Sequence, residues 1–131
     1  MSWWDEVYNN IGVGRELQTP GRGEERIGAK PFKIIYKEPD LFIILTGKSC
    51  LPLEKSCFEV IEEAMNINHY LKLRISSVKD NQPLKDTADK LIRERTGSNL
   101  ARGNYVCSIL NEVGLVRYVM FANKKWIEKN V

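Results

Sequence analysis

The chain has 131 residues, 43% hydrophobic and 28% charged, which is ordinary for a soluble globular protein and long enough to bury a core without disulfides or metal. Its charge is divided: residues 1–69 hold 8 Lys/Arg and 11 Asp/Glu, a net −3, whereas residues 70–131 hold 12 and 6, a net +6. No apolar run approaches the ~20 residues of a membrane span, and the first ten residues have neither a basic n-region nor an apolar h-region, so neither a membrane partner nor a secretory signal is expected.

Ser2 is an N-cap candidate with Asp5 and Glu6 in the first turn, and Trp4, Val7 and Tyr8 share a face with Trp3 alongside. This predicts a short amphipathic helix over residues 2–10. Glu16 to Lys30 surrounds Thr19-Pro20-Gly21-Arg22-Gly23, which is turn chemistry with charges, and reads as a long loop. Loops of that length are usually functional or mobile. Phe32 to Lys37 and Leu41 to Thr46 are β-rich, and Glu38-Pro39-Asp40 joins them as an antiparallel hairpin. Phe32, Ile34 and Tyr36 fall on one face of the first strand; the second is apolar on both faces and ends at Gly47-Lys48-Ser49. Phe58, Ile61, Ala64 and Met65 then recur at helical spacing over Glu54 to Met65.

Tyr70 to Ser77 alternates, with Leu71, Leu73 and Ile75 inward and Lys72 and Arg74 outward, as a half-buried strand does. Asp80-Asn81-Gln82-Pro83 has the make-up of a helix start, Leu84, Ala88, Leu91 and Ile92 of an apolar stripe, and Gly97 of a C-terminal stop. Ser98 or Asn99 is placed to cap the next helix, whose inner face is Tyr105, Val106, Ile109, Leu110 and Val113 before Gly114. Val116 to Ala122 and Lys125 to Glu128 close a hairpin around Asn123-Lys124. The predicted fold class is α+β in a single compact domain: an N-terminal helix and β-hairpin (1–53) packed beside the module of residues 54–131.

From residue 54 the order helix, strand, helix, turn, helix, strand, turn, strand resembles the winged helix-turn-helix over roughly 75 residues. The resemblance rests on element order and spacing. It implies that the third helix, Asn99 to Val113, enters the major groove and that the hairpin is a wing touching phosphate. It implies a nucleic-acid site at Ser98, Asn99, Arg102 and Asn104, polar types that bond base edges and phosphates, with Lys124 and Lys125 on the wing. The helix itself carries one basic residue, Arg102, and an acid, Glu112. The expectation is a non-catalytic DNA-binding protein, regulatory in role, located in the cytoplasm. The alternative is a protein-interaction or assembly subunit, a homodimer included, using the hairpin edge and an aromatic patch at Trp3, Trp4 and Trp126.

Other chemistries find less. Thr19 to Arg26 and Gly47-Lys48-Ser49 both fail the Walker pattern. Glu54 and Lys55 are adjacent, so they would diverge where a metal-dependent nuclease needs acid and lysine pointing the same way. Cys50, Cys57, Cys107 and His69 lack structural-zinc spacing; three cysteines read as reduced thiols, with Cys57 and Cys107 as small core residues. No cofactor, metal or catalytic set is expected.

Overall fold

The computed structural model describes residues 2–66, 72–75 and 87–130, and these form four helices and two antiparallel sheets, a mixed α+β fold. Helix α1 (Trp3–Asn10) starts as its sequence predicts, with Ser2 Oγ accepting the Asp5 N–H. Its C-terminal end is held by Lys37, whose ammonium donates to the carbonyls of Tyr8 and Ile11, where the helix dipole favours a cation. Trp3 and Trp4 are core residues, 7% and 2% exposed, and not a surface patch. The Trp4 ring lies 5.0 Å from Phe42 and 5.3 Å from Phe58, and its indole N–H is donated to Pro39 O.

The first sheet has the order β1 (Glu16–Gln18), β2 (Pro31–Glu38), β3 (Leu41–Thr46), β4 (Ser49–Glu54). Two of these strands are absent from the sequence reading. β1 pairs with the start of β2, so residues 19–30 are a closed loop rather than a loose one. Thr19 and Lys30 bond each other, Arg22 bridges Ile27, and the Arg26 guanidinium donates to the carbonyls of Gln18, Thr19 and Pro20. Gly47-Lys48 is a two-residue turn, and the chain continues into β4. β4 tolerates Pro52 because it is an edge strand. In an antiparallel ladder the N–H and C=O of one residue leave on the same side. Pro52 O accepts from Arg102, away from β3, so the missing N–H also belongs to the free edge. A bulge in β2 between Ile34 and Tyr36 breaks the expected alternation and turns Tyr36 out to solvent.

Helix α2 (Lys55–Asn66) buries Phe58, Ile61, Ala64 and Met65 as its spacing predicts. Helix α3 (Ala88–Thr96) is capped by Thr87, whose Oγ1 accepts the Lys90 N–H, and ends at Gly97 in the left-handed region. The suggested start at Asp80–Pro83 lies outside the described residues. Helix α4 spans Gly103–Glu112, shorter than expected, and neither Ser98 nor Asn99 caps it. The cap comes from α3: Asp89 Oδ1 accepts the N–H groups of Arg102 and Gly103 at 3.0 and 3.2 Å. The helices meet so closely that a Cβ on Gly103 would lie 2.9 Å from the Asp89 backbone. The second sheet has the order β5 (Lys72–Arg74), β7 (Lys124–Lys129), β6 (Val116–Phe121). β6 and β7 are joined by Ala122 and Asn123, both at positive φ, the signature of a tight hairpin turn.

α4 is enclosed between the sheets. Ser108 Oγ donates to Gln18 O of β1 at 2.6 Å, Tyr105 meets Phe32 of β2 edge-on at 5.2 Å, and the far side packs on β6. Val106, Cys107, Ile109 and Leu110 are fully buried in a core cluster that runs from Trp3 to Ile127. Among the described residues no helix is long and apolar enough to cross a membrane.

Candidate nucleic-acid interface

The six residues implied by the winged-helix resemblance separate in the structure. Asn99 and Asn104 are exposed, and the Ser98 Oγ accepts the Leu100 N–H within the α3–α4 connection. Arg102 departs from the exposed position that such a contact needs: it is 0% exposed. Its guanidinium turns under the edge of the first sheet, donating to Pro52 O and Glu54 and, at 2.8 Å, to Thr96 Oγ1. The reason is charge pairing. Glu54 ends β4 facing the start of α4, and a guanidinium offers enough donors to satisfy a carboxylate, a carbonyl and a hydroxyl together. Lys124 is exposed at the hairpin tip. Lys125 is tethered, its ammonium 2.7 Å from Pro20 O and 5.2 Å from the Tyr118 ring. Partial burial and the nearby Arg26 lower its pKa, as they disfavour a second cation there.

The cations gather elsewhere. Directly opposed residues of antiparallel strands share a face. In the second sheet Lys72, Glu128 and Arg117 make one cross-strand row, Arg74, Trp126 and Val119 the next, and Phe121 with Lys124 a third. Leu73, Ile127 and Tyr118 belong to the opposite, core-facing side. Among the described residues, the outer face therefore carries Lys72, Arg74, Arg117 and Lys124 with the carboxylate of Glu128, which Arg117 holds at 2.8 Å.

Two aromatic rings stand among these cations. Phe121 is 54% exposed and Trp126 half-buried. They meet edge to face at 5.8 Å, and the Trp126 indole N–H is donated to Phe121 O at 3.0 Å. The Lys72 ammonium lies 5.2 Å from the Phe121 ring centre. Sequence alternation puts Lys72 and Arg74 outward but says nothing of their strand neighbour. The β5–β7 pairing, which brings them beside Trp126, is a contact across half the module and has no local signal.

A second, polar cleft of about 220 Å³ lies on the other side of β6, lined by Gln18, Arg26, Ser108, Asn111, Glu112 and Tyr118. Burial raises the Tyr118 pKa, so its hydroxyl stays protonated. Arg15 neutralises Glu112 at its rim. Arg26 is already engaged with the carbonyls of Gln18, Thr19 and Pro20, and its guanidinium lies 6.0 Å from the Tyr118 ring of β6. Among the described residues no group of His, Cys, Asp and Glu could hold a metal ion. No family model, curated protein or solved structure matches the chain.

Proposed function

We propose that the chain is a non-catalytic nucleic-acid-binding protein whose C-terminal half is a winged-helix-like module. Its contact surface is the outer face of the second sheet with the hairpin tip. The observation that carries the proposal is the set of four cations, Lys72, Arg74, Arg117 and Lys124, around exposed Phe121 and half-buried Trp126. Fixed positive charge on one face is what a phosphate backbone recognises. The element order α2-β5-α3-α4-β6-β7 and the sheet order β5-β7-β6 support the winged-helix-like reading. The contact is put on the sheet and not on α4, because Ser108 and Tyr105 of that helix pack on β1 and β2.

Titration of a labelled oligonucleotide at several salt concentrations tests this. Binding is expected to weaken as salt rises, with a slope near −0.9 per phosphate contact on duplex and about −0.7 on single strands. Loss of binding in the double variant Lys72→Ala/Lys124→Ala, with the fold intact, is the supporting result. No binding at low salt would remove the proposal. A protein-interaction role would then lead, favoured by exposed Ile35 and Tyr36 beside partly exposed Ile43 and Leu45 on the outer face of the first sheet.

A further inference from the structure

We infer that the nucleic acid on this face is single-stranded, with unpaired bases stacked on Phe121 and Trp126 and phosphates drawn to Lys72, Arg74 and Lys124. The inference rests on the nucleic-acid reading of the same face and specifies its ligand. In a duplex the base faces are hidden by stacking, and a backbone contact needs cations but no aromatic ring. In a single strand each base offers a π-face, which aromatic side chains on a basic surface capture whatever the sequence.

Both rings are disposed for this. Phe121 sits at the end of β6 with over half its surface in water, although an apolar ring gains by leaving water. The Trp126 indole N–H is already satisfied by Phe121 O, so the ring plane is what remains for a ligand. That bond also fixes the ring before binding, which lowers the entropy lost on complex formation. Lys72 beside Phe121 and Lys124 in the adjacent cross-strand position place positive charge where the backbone of a stacked nucleotide would run. The other two tryptophans are buried in the core, so Trp126 is the indole a ligand can reach.

The test compares a short oligothymidylate, an oligouridylate of the same length and a mixed-sequence duplex at low salt, followed by anisotropy and by tryptophan fluorescence. The protein should prefer one or both single strands to the duplex, and single strand should quench the indole emission. Phe121→Ala should weaken single-strand binding by roughly 5- to 150-fold, the range for one lost stacking contact, while duplex binding stays as it was. Trp126→Phe should abolish the quench, since Trp126 is the indole the strand covers. The deoxy and ribo arms report the sugar, and preference for either over duplex supports the inference. Equal or tighter duplex binding, or a loss in Phe121→Ala shared equally by duplex, would overturn it and leave nucleic-acid binding standing. Binding to none of the three would overturn both.

Discussion

Replacing Arg102 by alanine and by methionine distinguishes a residue that reads bases from one that holds the fold. The side chain is 0% exposed and donates to Pro52 O, Glu54 and Thr96 Oγ1, while its Nε has no acceptor among the described residues. Taking a guanidinium out of water costs several kcal/mol, so its net contribution is well below the sum of those bonds. Glu54 keeps 42% of its side chain in water and is not stranded when Arg102 is lost. Alanine leaves a cavity and two unpartnered acceptors, and should cost about 3–5 kcal/mol. Methionine refills most of the volume without the buried charge, and should cost about 1–2 kcal/mol. Urea unfolding followed by circular dichroism gives both values, with oligonucleotide titration of the folded methionine variant alongside. Nucleic-acid affinity should be unchanged in that variant. A stable methionine variant that has lost binding, or an alanine variant within a few tenths of a kcal/mol of the parent, would refute the enclosed position of this side chain.

Gly103→Ala should destabilise by about 1–3 kcal/mol through overpacking, although alanine is the better helix former, because its Cβ would meet the Asp89 backbone at 2.9 Å; a gain in the urea midpoint would mean that the helices are further apart. Burial pushes the Cys57 thiol up to about 12 against the opposing pull of Arg102, whereas an unfolded thiol titrates at about 8.5. A raised folded pKa gives stability that is complete below the unfolded value and lost as pH climbs towards the folded one. Urea midpoints should therefore fall from about pH 8.5 upwards, and less steeply in Cys57→Ala; identical slopes in the two proteins would contradict this. Lys124→Ala should flatten the salt dependence of binding by about one unit. Lys125→Ala should change it less, because that ammonium holds Pro20 O; the reverse ranking would contradict the tether.

The elements with a strong period were legible in the sequence. α1, α2, the β2–β3 pair and the terminal hairpin follow from apolar spacing and turn residues, and Ser2 and Gly97 bound their helices as expected. β1 was hidden because three residues are too few to show alternation, and its pairing with β2 spans a loop of turn residues. β4 was hidden because Pro52 interrupts it, which only an edge position allows. Tyr36 departs from the alternation because a bulge depends on both strands at once. Of the implied site residues, Lys124 stands exposed as expected, while Arg102 does not. A lone arginine at a helix start looks the same in sequence whether it faces solvent or Glu54 of a distant strand. The cationic face has no sequence signature for the same reason: Lys72, Arg74 and Arg117 converge through sheet order, which no local pattern encodes.

Backbone amide chemical shifts, recorded as the intact protein is titrated with oligothymidylate at low salt, test the central claim most directly. The largest changes should fall on Lys72, Arg74, Arg117, Phe121, Lys124 and Trp126, with the Trp126 indole N–H among them, while the buried residues of α4 stay in place. Changes concentrated on Asn99, Asn104 and the start of α4, or no changes at all, would contradict an interface on the outer face of the second sheet.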